Sequence, residues 1–136
     1  MLMPCEVGVK SILPAVRRGI VRVLYYNFNM KQSEIARILE ISQPSVSHFL
    51  KGIRGTAIDV LTIDPEVKRA VETFASRLVN GNLTRSEIMR GICRICTLVR
   101  RKGYMCDVHS KYDEGLKEEC KLCSEVGLIT ETSRKT

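Results

Sequence analysis

The segment from Gln32 to Gly52 constrains the fold of this 136-residue chain more than any other. Its apolar pattern predicts one helix from about Gln32 to Leu39 and another from about Gln43 to Lys51. Ser42 is a favourable N-cap for the second helix, and Pro44 suits its first turn, where a missing N–H is harmless. The residues expected where the two helices meet are small or apolar: Ile35, Ala36, Leu39, Ile41, Val46, and Phe49 or Leu50. The segment therefore predicts two short helices packed across a tight turn.

The rest of the chain also favours helices. They are predicted from Ser11 to about Asn27, from the Asp64-Pro65-Glu66 start to about Asn80, and from the capping box Thr84–Glu87 to Gly103. Residues 56–63 and 104–119 lack a helical period, and residues 120–129 favour one short helix. The predicted fold is mostly α: an N-terminal helix-turn-helix bundle, further helices and a small cysteine-rich C-terminal segment.

The charge of the chain is unevenly distributed. The net charge is +7, and residues 1–55 hold eight Lys or Arg against three acidic residues. A basic N-terminal part favours a polyanionic partner, although a merely solvated basic surface is the alternative. There is no apolar run of membrane-spanning length and no secretory pattern at the N-terminus, so a cytoplasmic protein without a membrane partner is expected.

Five of the six cysteines fall in the last third of the chain. Cys93 and Cys96 lie on a predicted helix, and Cys120 and Cys123 repeat their spacing, giving C-x2-C-x23-C-x2-C. In a reducing compartment such pairs indicate metal ligands or redox thiols rather than disulfides, and the spacing is close to that of four-cysteine zinc sites. Cys106 lies between the pairs as a fifth candidate ligand.

The cysteine pattern leaves several alternatives open. Cys106 with His109, as C-x2-H, gives more donors than one tetrahedral zinc needs, so an iron–sulfur cluster with a choice among these ligands is the other candidate. Cys106 is also a candidate sensor thiol, and all these cysteines can instead be small buried hydrophobes. Cys5 stands apart from the others and is expected in the core.

The Gln32–Gly52 segment resembles the helix-turn-helix of the Xre/Cro-like transcription-factor family, with Glu40 where that family usually has glycine. The resemblance implies that the second helix enters the major groove of double-stranded DNA. By position it assigns the groove-facing side to Gln43, Pro44, Ser47 and His48, and phosphate contacts to Gln32, Ser45, Lys51 and Arg54. The alternatives are a protein-interaction module and, for His48, an ordinary solvated histidine.

Nearly the whole chain resembles a group of predicted archaeal transcriptional regulators, through a start like Met3-Pro-Cys-Glu6, the helix-turn-helix and the cysteine-rich C-terminus. The resemblance implies a DNA-binding regulator with an iron–sulfur (4Fe-4S) cluster, with zinc as the alternative. Residues 1–55 are then the DNA-binding domain, and residues 56–136 the helical dimerisation and metal-binding region.

A homodimer on a palindromic operator is expected, because one recognition helix buries too little surface for specific affinity. The rival functions are a helix-turn-helix protein with purely structural zinc, a thiol redox enzyme using Cys93 and Cys96, and a protein-interaction adaptor. No Ser/His/Asp set, phosphate loop or carboxylate pair is visible in the sequence. We therefore expect neither an enzyme nor a small-molecule substrate.

Overall fold

The structure, a computed structural model, describes residues 1–113 and 120–124, and this part of the chain contains no strand. The prediction of a mostly α fold is confirmed. A π-helical turn over Gly8–Ile12 joins the first two helices. The helices are α1 (Pro4–Val7), α2 (Leu13–Tyr26), α3 (Gln32–Leu39), α4 (Gln43–Leu50), α5 (Pro65–Val79), α6 (Arg85–Arg101) and α7 (Tyr104–His109).

The N-terminal helical segment begins earlier than the predicted start at Ser11. The chain is already helical from Pro4, and the π-helical turn carries it into α2 without a break. The N–H of Leu13 donates to the carbonyl of Gly8, five residues back. This wider turn comes directly before Pro14, which lies in the first turn of α2 and has no N–H to donate to the preceding helical turn.

Side-chain caps begin three of the helices at the predicted positions. Ser42 Oγ accepts from the N–H of Ser45 at 3.1 Å at the start of α4. Asp64 accepts from the N–H of Glu66 at 2.8 Å at the start of α5. Thr84 and Glu87 form the predicted reciprocal capping box of α6. Because each cap satisfies N–H groups that have no partner inside the helix, the sequence located these starts correctly.

Helix α2 is the central element of the core. Val16, Ile20 and Leu24 are fully buried, and α2 packs against α3, α4, α5 and α6. Buried residues of α5 and α6 continue the same hydrophobic cluster. The core therefore runs without interruption across residue 55, and the division of the chain into two domains at that point stays a prediction.

Helix α7 was not predicted, because residues 104–119 show no helical period. It is six residues long, and Met105, Val108 and His109 are its buried residues. Residues 114–119 and most of the short helix predicted over 120–129 lie outside the described residues. Among the described helices, none is both long enough and apolar enough to cross a membrane.

Candidate nucleic-acid interface and thiol groups

The helices α3 and α4 form a helix-turn-helix. Ile35 and Ala36 of α3 and Val46 and Phe49 of α4 are buried between the helices and α2. Glu40 follows α3 in the left-handed conformation, at φ 52° and ψ 45°. The turn needs this positive φ, which glycine adopts more readily than glutamate.

The outer face of α4 carries the side chains predicted to read bases. Gln43, Pro44 and His48 are exposed, and Ser47 is half-buried. All four lie on the helix whose other side holds Val46 and Phe49 in the core. Hydrogen-bonding groups are thus presented to solvent along a helix anchored from behind, as a recognition helix requires.

The residues predicted to contact phosphates differ in solvent exposure and in their hydrogen bonds within the chain. Lys51 and Arg54 are exposed at the C-terminal end of α4, whereas Gln32 at the start of α3 is half-buried. Ser45 is half-buried, and its hydroxyl lies 2.8 Å from the hydroxyl of Ser42. Ser45 therefore supports the cap of α4 in addition to any contact it makes outside the chain.

Arg18 of α2 fixes the C-terminal end of α4, a role that sequence reasoning missed. Its Nε donates to the carbonyl of Phe49 at 3.3 Å. The guanidinium of Arg54 lies 5.7 Å from the centre of the Phe49 ring, a cation–π distance. Arg18 lies off the apolar stripe of α2, but its partner is 31 residues further along the chain, so no local pattern identified the contact.

The turn of the helix-turn-helix is tied to the start of α6. Arg85 Nε lies 2.6 Å from Oε2 of Glu40. Both side chains are largely exposed, at 77% and 57% of their full accessible area. The pair connects the helix that carries Cys93 and Cys96 to the turn before α4, but an exposed ion pair contributes at most about 1 kcal/mol.

The first thiol pair lies on α6, where Cys93 is exposed and Cys96 is half-buried. Burial raises the pKa of the Cys96 thiol to about 11, and the neighbouring Cys93 adds to the rise, while Arg17 and Arg100 oppose it. At neutral pH the Cys96 side chain is therefore a neutral thiol. Binding a metal there requires that a proton leave.

The second thiol group joins Cys106 of α7 to the C-terminal pair. Burial raises the pKa of the Cys106 thiol, and the charge and hydrogen bond of Cys123 and the charge of Cys120 raise it further. Cys123 is itself buried. The structure thus places the Cys106 thiol within hydrogen-bonding reach of Cys123, with Cys120 near enough to act on it by charge. The sequence spacing alone did not specify this arrangement.

The described residues do not assemble the thiols into one metal site. No three or more His, Cys, Asp or Glu side chains among them form a group arranged to hold a metal ion. Thiolates suit zinc and iron–sulfur centres, but the pair on α6 and the group around Cys106 remain separate. None of the six cysteines is in a disulfide. The metal centre stays a prediction, with the donor chemistry in its favour and the described arrangement not supporting it.

One expectation about an individual cysteine is wrong. Cys5 was expected in the core, but it is exposed. It lines, with Cys93 and Cys96, a groove of about 290 Å³ between the π-helical turn and α6. Cys5 lies on α1, directly before the π-helical turn, and the sequence predicted neither element. His109 is buried, and its Nε2 donates to the carbonyl of Leu2 at 2.6 Å, so that nitrogen is already engaged.

Comparisons with protein-family models, with curated proteins and with solved structures found no match to this chain. The resemblance to Xre/Cro-like regulators therefore stays a prediction carried by the residues of α3, the turn and α4.

Proposed function

We propose that the protein is a sequence-specific, double-stranded-DNA-binding transcription regulator of the cytoplasm. One observation carries the proposal: α4 buries Val46 and Phe49 against the rest of the helical bundle while its opposite face exposes Gln43, Pro44 and His48. Such a helix can enter the major groove without losing its own packing. Amide and imidazole groups on that face suit hydrogen bonding to base edges.

The charge around α4 supports a polyanionic partner. No acidic residue occurs between Ser42 and Arg54, and Lys51 and Arg54 are exposed at the end of α4. The nearest acid before this segment, Glu40, is paired with Arg85. Because repulsion of phosphates by carboxylates is thus reduced, the surface favours attraction by the exposed cations.

We propose that the protein acts as a homodimer on a palindromic operator. Helix α4 is eight residues long, and contacts from one such helix bury too little surface for specific affinity on their own. Two copies related by a two-fold axis would place their recognition helices about 34–36 Å apart, one turn of DNA.

Selection from a random double-stranded DNA pool tests the proposal. A palindromic sequence should be enriched, and Gln43→Ala should lose roughly 1–3 kcal/mol of discrimination at one base pair of each half-site. Asn82→Ala is the matched control, because Asn82 is an exposed amide side chain in the loop before α6. If no sequence is enriched, and weak binding to the pool does not depend on salt, the protein-interaction alternative replaces this proposal.

We further propose a cysteine-ligated metal centre, an iron–sulfur cluster (4Fe-4S) before zinc, with ligands drawn from the thiols of α6, α7 and the C-terminal pair. The support is chemical: soft thiolate donors occur in two C-x2-C pairs, and Cys106 hydrogen-bonds with Cys123. The candidate ligands are Cys93, Cys96, Cys106, Cys120 and Cys123. In that role the chain supplies thiolates and must release their protons.

Anaerobic purification with metal analysis tests the centre. Iron with inorganic sulfide, in brown protein that absorbs at about 400 nm, would indicate a cluster, whereas colourless protein with stoichiometric zinc would indicate a structural zinc site. Cys106→Ser should lower the metal content if Cys106 is a ligand. Cys5→Ser, outside the proposed ligand set, should leave it unchanged. Protein free of metal under strictly anaerobic conditions would end this part of the proposal.

A further inference from the structure

A groove of about 400 Å³ runs between α5 and α6. Its base is apolar, with Phe74 and Ile95 buried and Ala70 and Leu98 half-buried along it. Gly91 permits this shape, because a Cβ at that position would lie 2.1 Å from Cε2 of Phe74. The Phe74 ring can lie directly against the α6 backbone only because no side chain occupies position 91.

The rim of this groove carries unbalanced positive charge. Arg69, Arg77 and Arg94 line it and are exposed. Within residues 1–113 and 120–124, none of the three is ion-paired with an acidic side chain. The acidic residue that lines the groove, Glu66, lies 2.6 Å from the ammonium of Lys102. An anion entering the groove therefore meets guanidinium groups whose hydrogen-bonding capacity is available.

We propose that this groove binds a small organic anion with an apolar body, such as an aryl sulfonate or a medium-chain carboxylate. The apolar base would bury the body of the ligand, and the arginines would hold its charged group. The volume is within the range of about 300–1,000 Å³ typical of small-molecule sites. A second copy of the chain fits less well, because two-fold packing of this surface would bring the arginine rims together.

The site is independent of the proposed DNA contacts, but its location suits an effector. Both walls of the groove pack against α2, and α4 packs against α2 as well. A ligand that changes the spacing of α5 and α6 would thus act on helices that share a neighbour with the proposed recognition helix. That coupling rests on the proposed function, whereas ligand binding itself does not.

Fluorescence titration with 1-anilinonaphthalene-8-sulfonate tests the site, with the uncharged N-phenyl-1-naphthylamine as the matched ligand. We expect saturable binding of one sulfonate probe per chain and binding of the neutral probe about tenfold weaker, because the charge-assisted bonds are lost. The double variant Arg77→Gln/Arg94→Gln should lower the affinity for the sulfonate probe about tenfold. Arg90→Gln, which changes an exposed arginine of α6 outside the groove, should not alter affinity.

Thr73→Trp provides an independent test, because Thr73 is exposed and its enlarged side chain would fill the groove. It should abolish binding of the sulfonate probe while leaving thermal unfolding close to that of the parent. If Thr73→Trp fails to fold, the arginine variants, which change exposed positions only, still decide the matter. Equal affinity for both probes, or binding unaffected by loss of the two arginines, would overturn the proposal. The proposal would also be overturned if sedimentation showed that Thr73→Trp converts a dimer to a monomer, since a second copy of the chain would then occupy the groove.

Discussion

Glu40 is the residue at which the backbone of the helix-turn-helix is least favourable. A non-glycine residue in the left-handed conformation costs roughly 1–2 kcal/mol. Its ion pair with Arg85 is exposed on both sides and is worth less than about 1 kcal/mol. At this position the free-energy cost of the left-handed backbone therefore exceeds the stabilisation that the ion pair contributes.

We predict that Glu40→Gly leaves the protein as stable as the parent or stabilises it by up to about 1 kcal/mol, as measured by chemical unfolding. Arg85→Gln is the control: it removes the ion pair without changing the backbone at Glu40. It also removes a positive charge from the N-terminal turn of α6, where a cation is unfavourable. Its effect should be close to zero. Destabilisation by Glu40→Gly of more than about 1 kcal/mol would mean that the Glu40 side chain holds the turn more strongly than one exposed ion pair can.

Cys96 supports a second prediction at this scale. Because burial raises the pKa of its thiol to about 11, iodoacetamide should modify it slowly in metal-free protein at pH 8. The rate should rise about tenfold per pH unit as the thiolate fraction grows. Peptide mass spectrometry measures the rate, with exposed Cys93 as the internal comparison. In denaturant the two cysteines should react alike, and equal rates in the folded protein at pH 8 would contradict the burial of Cys96.

At the scale of elements, one polar cluster fixes α5 to the end of α6 and the start of α7. The hydroxyl of Tyr104 donates to Oδ2 of Asp64 at 2.6 Å. The ammonium of Lys102 lies 3.1 Å from each Asp64 carboxylate oxygen. The hydrogen bond from Tyr104 is the largest cause that holds the pKa of Asp64 well below its ordinary value of 3.8. The carboxylate that caps α5 thus also anchors α7.

The sign of the pH dependence follows from that lowered pKa. A carboxyl whose pKa is lower in the folded state stabilises the fold above its unfolded pKa, and this stabilisation is lost as the pH falls through the folded pKa. We predict that Tyr104→Phe raises the folded pKa of Asp64, lowers stability at neutral pH and moves acid unfolding to higher pH. Circular dichroism during acid titration measures the shift. Tyr112→Phe, at a side chain that is 70% exposed, should leave the titration unchanged, and an equal effect of both changes would contradict the role of Tyr104.

The elements show where sequence reasoning succeeded and where it failed. Helices α4, α5 and α6 were predicted with their starts correct, because each combines an apolar stripe with a local signal: Ser42, Asp64 or the Thr84 capping box. The start of α3 was predicted from its apolar pattern alone, since no side chain caps it. Helix α7 was missed because six residues are too few to show a helical period. Its hydrogen bond from His109 to Leu2 joins residues 107 positions apart, a contact that no local pattern contains.

The features of the candidate sites also divide into those that the sequence predicted and those that it did not. The outward side of α4 followed from which residues face inward, so the exposure of Gln43 and His48 was predictable. The grouping of thiols was not, because spacing along the chain does not specify how α7 returns Cys106 to the C-terminal pair. The basic groove between α5 and α6 also escaped the sequence, since its arginines lie on two different helices and meet only after packing.

At the scale of the whole molecule, α2 joins the parts that carry the proposed functions. It packs against α3 and α4 and also against α5 and α6, and its buried residues belong to one continuous hydrophobic cluster. A rearrangement of α6, whether at its thiols or at the basic groove, would therefore be transmitted to the helix-turn-helix through close-packed side chains rather than through a loop.

The net charge of +7 allows local contacts to be separated from the general field of the molecule. Lys51→Ala and Lys68→Ala each remove one positive charge from an exposed lysine, the first beside α4 and the second on α5. If the proposed interface is correct, Lys51 neutralises a phosphate. The plot of log K against the logarithm of salt concentration has a negative slope, and its magnitude should then fall by about 1 in Lys51→Ala. Lys68→Ala should change the affinity slightly and the slope little, because a distant exposed charge is screened beyond a Debye length of about 10 Å.

Fluorescence anisotropy with a labelled duplex over a salt series measures both slopes. If the two variants lose slope equally, binding depends on the overall charge of the molecule, and α4 is not the DNA-contacting element.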